Sequence, residues 1–138
     1  MPASSVRYQL EEMSRSGLLD FRADLARPLA GWPVSGMLWI DAPDTEVARL
    51  GEQFGGWPET RFAASMIGPA SIMLVVSLRA PDDLLAIAAR VAECEGLPPV
   101  VDRRIVYRLD KVHGRILDDL GRSSRAVAID PWLGHQLR

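Results

Sequence analysis

The chain has 138 residues, which is enough for one domain with a substantial core but hardly for two. A formal net charge of −2 and a pI of about 5.7 exclude a global basic field that would hold the protein on nucleic acid or on an anionic membrane. The single cysteine, Cys94, excludes an internal disulfide and indicates a reducing cytoplasm, and no apolar run approaches the ~20 residues of a membrane-spanning helix.

A short amphipathic helix is the first predicted element. Val6, Leu10 and Met13 recur at the spacing of one helix face, and Gly17 stands where a left-handed C-cap residue is favoured. Residues 18–25 then alternate between apolar and polar, which predicts a strand. This segment is typical of the last helix of a helix-turn-helix and its exit strand. A solvated face is the simplest interpretation of its polar residues, and contact with DNA phosphates is the alternative for Arg7, Tyr8, Gln9 and Arg15.

Six further segments follow in the order strand, helix, strand, strand, helix, strand, at residues 35–41, 45–55, 60–67, 71–79, 82–95 and 101–109. Asp44 is the predicted N-cap of the first of these helices. The order predicts the ferredoxin-like βαββαβ fold of the α+β class, in which a four-stranded antiparallel sheet carries both helices on one face. Residues 115–118 and 125–129 predict a further hairpin around Gly121.

Alternation along the strands assigns one set of side chains to the helices: Phe62, Ala64, Met66, Ile72, Leu74, Val76, Leu78, Ile105, Tyr107 and Leu109. The opposite face then carries Met73, Val75 and Val106, with either Met37 and Trp39 or Leu38 and Ile40. That face is too apolar to lie in water. We therefore expect a homodimer or a higher homo-oligomer whose interface includes Met73, Val75 and Val106.

No catalytic constellation stands out in the sequence. His113 and His135 lack metal-ligand spacing, and Cys94 lies on the apolar face of a helix, where a buried inert thiol is favoured over a nucleophile. Adjacent aspartates such as those at 82 and 83 fit helix capping better than catalysis. The sequence therefore predicts no catalytic residue, no metal and no cofactor.

The strongest candidate for ligand binding is the loop between the two predicted central strands. It consists of small and apolar residues, and Gly68 permits close approach of a ligand to the backbone: Met66, Ile67, Gly68, Pro69, Ala70 and Ser71. An ordinary hairpin turn is the alternative. Arg104 and Arg108 are expected to share a face of the last strand, where they would either pair with nearby carboxylates or capture an acidic ligand group.

The chain resembles the leucine-responsive and asparagine-related (Lrp/AsnC) transcription regulators from about residue 6 to residue 114. The segment VRYQLEEMSRSGLLDFRADL is similar to the family's recognition-helix end and exit strand, and Ala30-Gly31-Trp32-Pro33 to the hinge that opens its sensing domain. Met66 to Ser71 resembles the loop at which such domains bind small effectors, usually amino acids. The segment Arg108-Leu109-Asp110-Lys111 resembles the closing strand and its basic end.

The resemblance implies an effector-binding and oligomerisation domain at residues 31–114, preceded at 1–30 by the end of a winged helix-turn-helix and followed at 115–138 by a tail. It implies a cytoplasmic regulator that is not an enzyme and that binds DNA only through a complete helix-turn-helix. Because the first two helices of that head are absent here, we expect weak DNA binding. Pro69 and Ala70 replace the acidic or aromatic residues of many amino-acid-responsive members, which leaves the ligand open. The alternative is a small dimeric ferredoxin-like enzyme, such as a cofactor-free oxygenase or isomerase, since one fold hosts both.

Overall fold

The computed structural model describes residues 3–94 and 99–128. Its elements, in chain order, are α1 (Ala3–Arg15), a 3₁₀ helix (Arg27–Ala30), β1 (Val34–Ile40), α2 (Val47–Gly55), β2 (Thr60–Ser65), β3 (Ile72–Leu78), α3 (Asp83–Ala92), β4 (Val100–Val106), β5 (Lys111–Val112), β6 (Arg115–Leu117) and β7 (Ser123–Ala126). Among the described helices, none combines the length and the apolarity needed to cross a bilayer.

The main sheet has the strand order β2-β3-β1-β4, and every neighbouring pair is antiparallel. Helix α2 packs on β2 and β3, and α3 packs on β4, so both helices cover the same face. The predicted ferredoxin-like βαββαβ fold is therefore confirmed.

The core lies between this sheet and its two helices. Strand β3 directs Ile72, Leu74, Val76 and Leu78 into it, as its alternation predicts, and β1 directs Leu38 and Ile40. The helices contribute Leu50, Phe54, Leu84, Ile87 and Val91, and Cys94, just after α3, completes the cluster. Full burial of one large aliphatic side chain contributes about 1.5–3 kcal/mol, so this cluster is the main source of stability in the domain.

The predicted helix-facing set is wrong on β2, and on β4 it holds only for Ile105, which lies opposite Gly36 on the core side. The register of β2 shifts between Thr60 and Phe62, and Phe62 and Ala64 consequently face away from the helices, opposite Val75 and Met73. Strand β4 ends at Val106, so the predicted alternation does not extend to Tyr107, whose side chain is 99% exposed.

The segment between α1 and the 3₁₀ helix is also not a strand, contrary to the prediction for residues 18–25. A strand needs a partner for its backbone hydrogen bonds, and no described segment of the chain pairs with it. Helix α1 buries none of its side chains. Asp44 does not cap α2, which begins at Val47 after a turn closed by the hydrogen bond from Glu46 N to the Pro43 carbonyl.

The C-terminal hairpin is present as β6 and β7, and β5 adds a third strand in the order β5-β6-β7. His113 and Gly114 connect β5 to β6 with φ angles of 46° and 75°, the left-handed pair that a tight two-residue hairpin turn requires. Residue 129, the predicted end of the hairpin, lies outside the described residues. The domain boundaries at residues 30 and 114 stay predictions.

Candidate functional site

The loop from Met66 to Ser71 joins β2 to β3 at the end of the sheet where β1 also ends. Its base is closed by two hydrogen bonds, from Met66 N to the Ser71 carbonyl (2.8 Å) and from Ser71 N to the Ile40 carbonyl (2.9 Å). Its tip projects into solvent, and Ile67 is fully exposed. A Cβ atom at Gly68 would meet no heavy atom within 4 Å, so the loop backbone is open to a ligand or to another subunit at this point.

The last two residues of the loop are buried in the protomer and help to hold its structure. Ala70 and Ser71 are buried, and the Ser71 hydroxyl accepts a hydrogen bond from Ala42 N at 2.7 Å and donates one to the Ala42 carbonyl at 2.9 Å. This hydroxyl ties the loop to the segment that follows β1. Met66, Ile67, Gly68 and Pro69 are the loop residues that remain accessible for contacts outside the protomer.

The two candidate arginines are separated along the sheet and engaged with carboxylates. Arg104 lies opposite Met37, pairs with Asp102 at 2.8 Å, and its guanidinium carbon is 5.5 Å from the centre of the Trp39 ring. Arg108 follows the end of β4 and pairs with two acidic side chains, Asp110 at 2.8 Å and Asp119 at 2.9 Å.

Arg108 and the Met66–Ser71 loop lie at opposite ends of the sheet. Val106 pairs with Ser35 at one end of β1, and Ile72 pairs with Ile40 at the other. These two β1 positions are five residue steps apart, a distance of about 17 Å. One protomer therefore does not bring Arg108 to the loop, and the expectation that Arg104 and Arg108 share a strand face is wrong because β4 ends at Val106. Their role in ligand binding stays a prediction.

The sheet face opposite the helices, called here the open face, is apolar. Met73, Val75 and Val106 lie on it as predicted, and β1 contributes Met37 and Trp39 because Leu38 and Ile40 are in the core. The half-exposed Phe62 extends it onto β2. Arg104 and Asp102 form its polar edge on β4. A contiguous apolar surface to which all four strands contribute is typical of an interface between proteins.

Helix α1 presents all four predicted DNA-contact residues to solvent, and Arg15 pairs with Glu12. Its apolar residues Val6, Leu10 and Met13 remain about 40% exposed. The described part of the chain holds no group of three or more His, Cys, Asp or Glu side chains placed to bind a metal ion.

Several solved structures share this architecture. B. subtilis LrpC matches with a TM-score of 0.67 and 14% identity over 79% of this chain and 76% of that one. E. coli AsnC matches with a TM-score of 0.69 and 17% identity over 81% of this chain and 76% of that one. The chain has the fold of the Lrp/AsnC regulators.

A third match is the feast or famine regulatory protein from M. tuberculosis complexed with L-methionine, with a TM-score of 0.67 and 18% identity over 81% of this chain and 76% of that one. No protein-family model matches the sequence, and no curated protein does. The resemblance inferred from the order and spacing of the sequence motifs is thus confirmed at the level of the Lrp/AsnC fold.

Proposed function

We propose that this chain is the effector-sensing and oligomerisation part of a cytoplasmic transcription regulator of the Lrp/AsnC type. The observation that carries the proposal is the open face of a sheet with the Lrp/AsnC fold. It places Met37, Trp39, Met73 and Val75 side by side, with Phe62 exposed at the rim. A second copy of the same face is the simplest cover.

Assembly through the open face can be tested, because it implies a large buried interface. An obligate homodimer interface buries more than about 2,000 Å² in total and resembles a domain core cut in half. Val75→Asp places a carboxylate at the centre of the open face and is expected to shift the protein towards the monomer. The matched control is Leu85→Asp, because Leu85 is an exposed apolar residue of α3 on the other side of the sheet. Equal masses for the two variants would contradict assembly through the open face.

The effector site in this proposal is the exposed tip of the Met66–Ser71 loop, completed by another subunit. The support is the accessible backbone at Gly68, the exposed Ile67 and the bound L-methionine of one structural relative. A carboxylate of the ligand would meet an arginine such as Arg104 or Arg108 of a neighbouring copy. The effector then favours one assembly over another, and the attached DNA-binding heads move with it.

A thermal-shift titration with L-methionine, followed by the other amino acids, tests this site. We expect at least one amino acid to raise the melting temperature. Gly68→Val places a β-branched side chain at a φ of 157°, which L residues rarely adopt, so it strains the loop backbone and is expected to abolish that shift; Ile67→Ala leaves the loop backbone as it is and is expected to weaken it. If no amino acid stabilises the protein, or if Gly68→Val responds like the parent, the loop is not the effector site.

An enzyme of the same fold is the second candidate function. The composition of the domain interior argues against it. Among the described residues, the side chains buried between sheet and helices are apolar apart from Cys94, and of the three buried serines Ser35 and Ser77 lie on the opposite side of the sheet while Ser71 closes the base of the loop. The Cys94 thiol donates a hydrogen bond to the Arg90 carbonyl at 3.3 Å, as expected for a structural thiol. A general acid or base would need a titratable group in a cleft, and this interior offers none among those residues.

A further inference from the structure

A cleft of about 940 Å³ lies between the N-terminal linker and the C-terminal sheet, away from the Met66–Ser71 loop. One wall is the linker with its 3₁₀ helix, the second is the chain leaving β4, and the third is formed by β5, β6 and the turn into β7. Strand β6 places Arg115 and Leu117 in the cleft, two residues apart on one strand face. The three walls come from distant parts of the sequence, so the cleft exists only in the folded domain.

Positive charge is in excess in this cleft. Five arginines line it against three aspartates, in a chain whose formal net charge is −2. The arginines are Arg22, Arg27, Arg108, Arg115 and Arg122.

Each of the three aspartates is already engaged. Asp24 pairs with Arg27 at 3.1 Å, and Asp119 pairs with Arg108 at 2.9 Å. The Asp118 carboxylate accepts hydrogen bonds from the backbone N–H groups of Leu120 (2.9 Å) and Arg122 (2.8 Å), which shapes the turn before β7.

Three guanidinium groups are left without a carboxylate partner among the described residues. The Arg22 guanidinium contacts only the imidazole of His113, at 2.8 Å, and Arg115 and Arg122 make no side-chain ion pair. Arg115 is the first residue of β6, and Arg122 directly precedes β7 beside the other end of β6, where Leu117 pairs with Ser123; β6 is about 10 Å long. Cations spaced in this way can hold two acidic groups of one molecule, or one acidic group with an extended body.

The remaining lining is mixed, with an apolar part beside Ser35, Tyr107, His113 and Ser123. The apolar part includes Trp32, Pro28, Leu109 and Val112, and the Arg79 guanidinium carbon lies 4.9 Å from the centre of the Trp32 ring. The Arg27 side chain is only 25% exposed, and its burial lowers the pKa of the guanidinium group from the ordinary value. Concave apolar walls with a few convergent charged groups are the usual construction of a small-molecule site.

We propose that this cleft is a second ligand site, which binds a small organic anion through Arg22, Arg115 and Arg122 and packs its carbon skeleton against Trp32 and Leu109. The site is separate from the loop that the proposed function assigns to the effector. A guanidinium binds carboxylates and phosphates with the same paired hydrogen bonds, so the shared chemistry is an anion with planar or tetrahedral oxygen groups.

Isothermal titration of the full chain with succinate, and separately with inorganic phosphate and pyrophosphate, tests the site at constant ionic strength. Tighter binding of succinate than of the two phosphates assigns the site to carboxylates, and the reverse order assigns it to phosphorylated ligands. Binding of none of the three at about 10 mM would overturn the proposal.

Arg115→Gln is the diagnostic variant, and Arg125→Gln is its matched control. Arg125 lies on β7 opposite Ile116, so it belongs to the same small sheet but faces away from the cleft. We expect Arg115→Gln to weaken binding at least about tenfold, because a hydrogen bond to a charged group contributes a factor of this size. Arg125→Gln should change binding less than twofold. Equal weakening by both variants would show that only the overall positive charge of the protein matters, and it would refute anion binding in the cleft.

Two further variants keep the test independent of folding and of the effector loop. Arg122→Gln, just before β7, should reproduce the loss seen with Arg115→Gln while the melting temperature of the free protein stays unchanged. Gly68→Val should bind the anion as the parent does. Loss of anion binding in Gly68→Val would show that the anion site depends on the Met66–Ser71 loop, and it would contradict the proposal of two separate sites.

Discussion

The Ser71 hydroxyl gives the sharpest prediction from this structure, because sequence reasoning places it in a ligand site and the structure places it in a buried hydrogen-bonded contact. Ser71 and Ala42 are 8% and 5% exposed, and the hydroxyl satisfies both the N–H and the carbonyl group of Ala42. Ser71→Ala leaves both groups buried without that partner. An unsatisfied buried polar group costs about 1–3 kcal/mol, so we expect the free energy of unfolding to fall by roughly 2–3 kcal/mol.

Urea denaturation followed by circular dichroism measures this loss. The matched control is Ser65→Ala, since Ser65 is an exposed serine at the end of β2, directly before the same loop, and its hydroxyl makes no hydrogen bond among the described residues. We expect less than about 0.5 kcal/mol for the control, the usual range for a surface substitution. A Ser71→Ala loss as small as that of Ser65→Ala would refute the structural role. If Ser71→Ala keeps full stability but loses the response to the effector, Ser71 acts in ligand binding instead.

The remaining predictions concern acid stability, the core and DNA. The hydrogen bond from the Arg90 guanidinium holds the pKa of Glu59 below its ordinary value, so the ion pair stabilises the fold above the unfolded-state pKa and is lost as the pH falls through the folded-state pKa. Glu59→Gln should therefore lower the free energy of unfolding by about 0.5–1 kcal/mol at pH 7 and leave it unchanged near pH 2, as measured by urea titrations at both pH values. The expected loss is small because the Arg90 side chain is 39% exposed to solvent. The same loss at both pH values would contradict this prediction. Leu74→Ala should destabilise the fully buried core by about 2–5 kcal/mol in the same assay, and a loss below 1 kcal/mol would place Leu74 outside it. This 138-residue chain should bind DNA weakly in a gel shift at about 50 mM salt, since α1 has no packing partner among the described elements; specific submicromolar binding would refute that expectation.

The order of elements and the core of the sheet could be predicted from the sequence because they depend on local pattern. The alternation of Ile72, Leu74, Val76 and Leu78 allows one buried face, and a strand-helix-strand-strand-helix-strand order leaves few compact arrangements. The face of β2 could not be predicted, because the bulge between Thr60 and Phe62 reverses the alternation without a clear residue signal.

The parts that sequence reasoning missed depend on contacts between distant segments. Residues 18–25 have the alternation of a strand but no partner strand among the described residues, and pattern alone does not supply one. The arginine-lined cleft joins Arg22 to His113, 91 positions apart, and only the folded chain brings them together. A partial signal was present at Gly114, because a glycine between Val112 and the apolar pair Ile116-Leu117 is compatible with a tight turn. The engagement of Ser71 with Ala42 has no sequence signal at all.

The central claim is that this domain assembles through its open face, and the mass of the unmodified chain in solution tests it most directly. Light scattering coupled to gel filtration should give at least twice the 15.2 kDa of one chain, about 30 kDa or more, and the mass should persist on dilution to the low micromolar range. A mass of one chain throughout that range would leave Met37, Trp39, Met73 and Val75 without a partner copy, and it would contradict the account.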